Sequence, residues 1–91
     1  MIIISYDIAN TKLRTKFSNY LKKFGYRMQY SVYKIKNSKR MLEIIKNEII
    51  NNFEKKFTQE DSVLIIETSE TCKITNFGYA KNTENDIIMI R

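Results

Sequence analysis

The chain has 91 residues, 43% of them hydrophobic and 29% charged, which indicates one folded domain; no apolar stretch approaches the roughly 18 residues of a membrane-spanning helix. Its lack of histidine and its single Cys72 exclude an intrachain disulfide and histidine-activated nucleophiles, and argue against a zinc site. Sixteen Lys and Arg against ten Asp and Glu give a net charge of +6, which favours a polyanionic partner. Because the sequence shows no signal-peptide pattern, we expect a cytoplasmic protein without membrane contact.

The first ten residues predict a strand followed by the start of a helix. The run Ile2-Ile3-Ile4 is β-branched and typical of a strand buried on both faces. Asp7 follows where the strand leaves the core, and Asn10 or Thr11 can cap the next helix. Strand ends often carry functional residues, so Asp7 is a candidate site residue. The structural alternative is a carboxylate that hydrogen-bonds a neighbouring helix N-terminus.

Residues 11–24 predict an amphipathic helix. Its apolar positions recur at three- and four-residue spacing: Leu13, Phe17, Tyr20, Leu21 and Phe24. Gly25 follows, where helices commonly end in a left-handed residue. The opposite side carries five basic residues and no acid, namely Lys12, Arg14, Lys16, Lys22 and Lys23. Because a merely solvated helix usually mixes both charges, this face predicts contact with phosphates.

The remaining elements are read from apolar runs and turn residues. Residues 26–36 are rich in aromatic and β-branched side chains and predict either one bent strand or two short strands. Ser38 can cap a second helix that runs to about Phe53. A strand over 61–68 is expected beside the first, followed by a weaker strand over 72–79 in which Gly78 marks a bulge. Residues 86–91 predict a short C-terminal strand.

This order of elements predicts an α+β ferredoxin-like βαββαβ sandwich with an extra C-terminal strand, in a single domain over residues 1–91. Both helices would cover one face of the sheet. The other face then needs a cover, which predicts a homodimer. The C-terminal strand, about residues 80–91, is expected to pair with the partner subunit because an exposed apolar edge would be hazardous.

Several short motifs together resemble the CRISPR-associated Cas2 family over the whole length of the chain. They are Tyr6-Asp7-Ile8, Leu13-Arg14-Thr15-Lys16, Leu21, Gly25, Arg27, Gln29, Ser31-Val32-Tyr33 and Asp61-Ser62-Val63. The most specific feature is the aromatic-Asp-Ile strand end combined with Gln-x-Ser-Val-aromatic some twenty residues later.

The resemblance implies a ferredoxin-like homodimer that acts in CRISPR spacer acquisition. In that role the dimer bridges two dimers of the Cas1 integrase and holds the incoming duplex DNA. It also implies a metal-dependent nuclease on single-stranded RNA or double-stranded DNA, with Mg²⁺ between the two Asp7 side chains of the dimer. Asp7 would be catalytic, supported by Tyr6 and Tyr33. The expected nucleic-acid-binding residues are Lys12, Arg14, Lys16 and Arg27.

Two departures from the family pattern favour binding over catalysis. Lys34 stands where the family often has an acid, and Lys16 stands where arginine is frequent, which loses bidentate phosphate geometry. Asp61 and Glu67 can supply a second carboxylate to a metal site at Asp7 only if folding places them near it.

Three functions stay open from the sequence. They are a DNA-bridging dimer, a Mg²⁺-dependent endonuclease, and a toxin-like ribonuclease of the virulence-associated protein D type. The segment Gln29–Tyr33 argues against the third.

Overall fold

A computed structural model describes residues 1–68 and 71–78 as an α+β fold with one sheet and two α-helices. In chain order the elements are β1 (Ile2–Asp7), α1 (Thr11–Leu21), β2 (Gly25–Gln29), β3 (Val32–Ile35), α2 (Lys39–Glu48), β4 (Ser62–Glu67) and β5 (Lys73–Gly78). A π-helical turn over Ile49–Phe53 and a 3₁₀ turn over Glu54–Lys56 continue α2. The predicted C-terminal strand over 86–91, and its pairing with a partner, lie outside the described residues.

The five strands form a single antiparallel sheet in the order β2-β3-β1-β4-β5. This arrangement is compatible with the expected ferredoxin-like fold, with β5 added beside β4. β1 lies at the centre, where it pairs with β3 on one side and with β4 on the other. The expectation that residues 61–68 form a strand next to β1 is confirmed.

The core lies between the helices and one face of the sheet. Along β1, Ile2, Ile4 and Tyr6 are buried on the face that the helices cover, while Ile3, Ser5 and Asp7 alternate onto the other face. The prediction that β1 is buried on both faces is therefore wrong for the single chain. Both helices pack on the same side, so the second face, called here the uncovered sheet face, keeps Ile3 and its neighbours partly exposed.

Both predicted helix caps are present. The Asn10 side chain accepts the Leu13 N–H, and the Ser38 side chain accepts the Met41 N–H. α1 is shorter than predicted, because it ends at Leu21 and a turn leads to β2.

Gly25 does not form the expected left-handed helix end. It begins β2, and the positive-φ residues in the described chain are Ser31 and Gly78. A Cβ built on Gly25 would lie 1.9 Å from the Lys34 carbonyl oxygen. The glycine is thus required by the close approach of β2 to β3, rather than by a left-handed conformation.

Residues 26–36 form two strands rather than one. The chain reverses at Ser31, which has φ of 68°, and the Ser31 carbonyl accepts the Tyr6 N–H at 3.1 Å. The β2–β3 pairing shifts register between Arg27 and Gln29. The bulge predicted at Gly78 is absent: β4 and β5 pair without a register shift from Ser62 to Glu67, and Gly78 ends β5 with φ of 85°.

Candidate nucleic-acid interface

The basic side of α1 divides into two concave regions. The first, the lysine groove, has a volume of about 420 Å³ and is lined by Lys12, Leu13 and Lys16 of α1, with Lys56 and Thr58 from the segment before β4. Lys12 and Lys16 are both exposed. None of the described residues that line this groove is acidic, so its charge is uniformly positive.

The second region, the arginine pocket, lies where α1 faces β1 and β2. It has a volume of about 230 Å³ and is lined by Arg14, Ser18, Lys22, Arg27, Tyr6 and Tyr30, among others. Again, no described lining residue is acidic. Three positive side chains and several hydroxyl groups therefore converge on a small cavity.

Arg14 is fixed at the end of β1. Its guanidinium donates to the Ile8 carbonyl at 2.9 Å and to the Ala9 carbonyl at 3.5 Å, and it lies 3.4 Å from the Thr11 hydroxyl. These acceptors are at the strand-to-helix connection that follows Asp7. Arg14 therefore presents its charge from a defined position rather than from a free side chain.

Arg27 is fixed by a buried pair of hydroxyl groups. Its guanidinium donates to Ser18 Oγ at 3.0 Å, and Ser18 Oγ is hydrogen-bonded to the Tyr33 hydroxyl. The guanidinium also lies 5.7 Å from the centre of the Tyr33 ring, within the range of a cation–π interaction. The nearby Tyr33 hydroxyl raises the pKa of Arg27 further above its ordinary value, so this side chain keeps its charge at every working pH.

Asp7 lines neither of the two basic regions. It is exposed at the end of β1, on the uncovered sheet face, and its antiparallel pairing partner on β4 is Ser62. Within residues 1–68 and 71–78, its carboxylate makes no hydrogen bond or ion pair. Tyr6 and Tyr33 are buried on the helix side of the sheet, so the structure does not bring them to Asp7.

The two other carboxylates considered for a metal site have other partners. Asp61 is fully buried and accepts the Ala9 N–H at 2.9 Å and the Thr58 N–H at 2.8 Å. Glu67 is at the far end of β4, opposite Ile2, and lies 3.7 Å from the Lys46 ammonium. The part of the chain that the structure describes holds no group of three or more acidic or cysteine side chains able to bind a metal.

Of the predicted nucleic-acid-binding residues, the structure brings Arg14 and Arg27 together and places Lys12 and Lys16 in the separate groove. Sequence reasoning missed Ser18 as a site residue, and it placed Lys22 on the basic face of α1 without naming it among the expected nucleic-acid-binding residues. One signal for both was available: Arg14, Ser18 and Lys22 are spaced four residues apart, which puts them on one line along a helix. The contribution of Arg27 depends on the β2–β3 pairing.

Comparison with known proteins identifies the family. The model of the family described as CRISPR associated protein Cas2 matches residues 1–75, which is most of the chain. The chain belongs to the Cas2 family. The Cas2 resemblance found in the sequence is thereby confirmed, and a CRISPR-associated role with it.

Two further findings accompany the family match. The comparison with curated proteins found no significant match to this chain. Among the described residues, no helix is both long and apolar enough to cross a membrane.

Proposed function

We propose that this Cas2 family member is a cytoplasmic DNA-holding subunit of CRISPR spacer acquisition. A homodimer binds the incoming duplex through its phosphates and bridges two dimers of the Cas1 integrase. The observation that carries the proposal is the pair of concave basic regions on one side of the molecule. Six cations line them, Lys12, Lys16 and Lys56 in the groove and Arg14, Lys22 and Arg27 in the pocket, and no described lining residue is acidic.

The chemistry of these residues favours backbone contact over base reading. Lys and Arg neutralise phosphates and release counterions, which gives affinity without sequence preference. These residues lie on one side of a helix and on an edge strand, and they do not form a motif that enters a DNA groove. Binding of duplexes of any sequence is the expected behaviour of a protein that captures foreign DNA.

The uncovered sheet face supports the homodimer. Ile3 of β1, Leu64 and Ile66 of β4, and Ile74 of β5 alternate onto this face and are half-buried in the single chain. A second copy packed there would remove their remaining apolar surface from water, at about 25 cal/mol per Å².

Spacer acquisition in cells tests the proposal. Reversing charge at Arg14 and Arg27 should abolish the uptake of new spacers by cells that carry Cas1 and a repeat array. Reversal at Lys55, which is exposed and lies outside both basic regions, is the matched control and should leave uptake intact. Normal uptake in the Arg14/Arg27 variant would contradict the proposal.

A second candidate function is a Mg²⁺-dependent endonuclease acting on duplex DNA or single-stranded RNA. It is favoured by one observation, the exposed and unpartnered carboxylate of Asp7 on the uncovered sheet face. Mg²⁺ is usually held by one or two carboxylates with water and substrate phosphate. One chain contributes Asp7 alone, since Asp61 is held by backbone N–H groups, so the residues fit a metal only with the Asp7 of a second subunit.

A further inference from the structure

A third concave region, the tyrosine pocket, lies at the end of the sheet where β2 begins and β3 ends. Its volume of about 490 Å³ is in the range of cavities that hold small ligands. Its lining includes four lysines and two aromatic rings, namely Lys22, Lys23, Lys34, Lys36, Phe24 and Tyr26. No described lining residue is acidic, so the cavity joins aromatic surface to uniformly positive charge.

The wall of the tyrosine pocket is held by backbone contacts between two chain segments. The Phe24 carbonyl accepts the Lys36 N–H at 2.9 Å. Gly25 lies so close to β3 that a Cβ built on it would be 1.9 Å from the Lys34 carbonyl oxygen. The cavity is therefore built on paired strand ends, which hold its side chains in position more precisely than a free loop would.

Tyr26 offers an unoccupied aromatic ring beside this cavity. The residue is 59% exposed, and within residues 1–68 and 71–78 it makes no hydrogen bond or ring contact. It pairs with Lys34, which in turn pairs with Ile3, so the three side chains share the uncovered sheet face. Because β2 is the edge strand, separated from β1 by β3, the Tyr26 ring lies at the margin of that face.

The lining defines the chemistry of the ligand. A free aromatic ring favours a planar group that stacks on it, and the surrounding lysines favour negative charge. A nucleotide combines both, in its base and its phosphate. A base inside a duplex has both of its faces covered by neighbouring bases, so an unpaired base is needed to stack on Tyr26.

The tyrosine pocket is continuous with the basic side of α1. Lys22 lines both this cavity and the arginine pocket. A strand whose phosphates lie on the basic side can therefore continue past Lys22 toward Tyr26.

We propose that the tyrosine pocket binds one unpaired nucleotide of a nucleic acid strand, with its base stacked on Tyr26 and its phosphate facing the lysines. Stacking accepts any base, so the site distinguishes unpaired from paired nucleotides and not one sequence from another. The inference rests on the proposed function in taking this strand from the DNA that the basic regions hold.

Three DNAs that share one duplex test the site. The first is blunt, the second carries a single-stranded tail, and the third carries a tail of equal length made of abasic nucleotides, with each tail placed on 5′ and on 3′ ends. The abasic tail keeps the phosphates and lacks the bases. By fluorescence anisotropy at one salt concentration, the full chain should bind the natural tail about tenfold more tightly than the abasic tail. Equal affinities for the two tails would overturn the proposal, because charge alone would then explain binding.

Variants of Tyr26 test whether the ring carries the preference. The readout in each variant is the ratio of affinities for the natural and the abasic tail. Tyr26→Leu keeps apolar bulk without an aromatic ring, so its ratio should fall to about one, whereas Tyr26→Phe should retain the preference. Lys55→Gln, outside the cavity, should keep the wild-type ratio. A preference that persists in Tyr26→Leu would overturn stacking on this ring.

A second copy of the chain and a free nucleotide are the other possible occupants. If Tyr26→Ala lost both self-association and the tail preference, and Tyr26→Leu restored both, the ring would belong to an interface between copies and the proposal would be overturned. Saturation by adenosine monophosphate, followed by amide chemical shifts, in a chain with no preference for the natural tail would assign the pocket to free nucleotides and overturn the strand.

The blunt duplex separates this proposal from the function proposed above. Binding of the blunt duplex without a preference for the natural over the abasic tail would overturn the tyrosine pocket and leave the proposed function standing. A preference for the natural tail in a chain that does not bind the blunt duplex would support the pocket and contradict the proposed function.

Discussion

Removal of the Asp61 carboxylate tests how the end of β1, next to Asp7, is held in place. Asp61 is fully buried and accepts two backbone N–H groups, those of Ala9 and Thr58. Replacement by alanine leaves both donors without an acceptor, at a cost of about 1–3 kcal/mol each. Asp61→Ala should therefore lower the free energy of unfolding by about 4 kcal/mol, a large share of the roughly 5–15 kcal/mol that stabilises a domain.

Asp61→Asn should lower the free energy of unfolding by about half as much. The asparagine amide keeps one acceptor oxygen, so one of the two N–H groups is left without an acceptor. Urea unfolding at a fixed protein concentration measures both changes, since association would otherwise shift the midpoint. With a slope of about 2 kcal/mol/M, Asp61→Ala should move the midpoint by roughly 2 M. Glu60→Gln, an exposed neighbour, is the control. A change below about 0.5 kcal/mol in Asp61→Ala would refute this account of the β1 end.

Three other substitutions have definite expectations. Gly25→Ala should destabilise the fold by more than about 2 kcal/mol in the same urea assay, because its Cβ would lie 1.9 Å from the Lys34 carbonyl oxygen; an unchanged midpoint would refute the close approach of β2 and β3. Gly78→Ala should also destabilise, since Gly78 has φ of 85° and its Cβ would lie 2.5 Å from the Asp61 carbonyl oxygen. Asp7→Asn should abolish any Mg²⁺-dependent cleavage of DNA or RNA while changing stability by less than about 0.5 kcal/mol, and cleavage that persists in this variant would refute the nuclease candidate.

Local patterns were enough to predict most elements of the fold. The three- and four-residue spacing of Leu13, Phe17 and Leu21 predicts α1, and these side chains are buried as expected. Asn10 or Thr11, and Ser38, are predicted caps because their side-chain oxygens can accept helix N–H groups. The structure shows Asn10 and Ser38 in this role. The strand beside β1 was predicted from its apolar run alone.

Features that depend on tertiary contact were predicted less well. The isoleucine run of β1 favours burial on both faces, yet only the packing of both helices on one side decides which face is covered. Gly25 has a sequence context typical of a helix end, and only the distance to Lys34 shows why glycine is needed there.

The candidate site was predicted in part for the same reasons. The basic face of α1 is visible in the sequence because no acid interrupts it. The spacing of Arg14, Ser18 and Lys22 places them on one side of a helix, but their convergence with Arg27 requires the β2–β3 hairpin to fold back beside α1. The hydrogen bond between Ser18 and Tyr33 joins residues on different elements, and no local pattern indicates it.

The salt dependence of duplex DNA affinity tests the central claim most directly. For a duplex of arbitrary sequence, log Kobs should fall linearly with log salt concentration, with a slope of about 0.9 for each phosphate neutralised. Glutamine at both Arg14 and Arg27 should reduce that slope by about three to four units for a dimer, since four charges are lost. Lys55→Gln should leave the slope unchanged. A slope in the Arg14/Arg27 variant equal to that of the wild-type chain would contradict binding of duplex phosphates by this face.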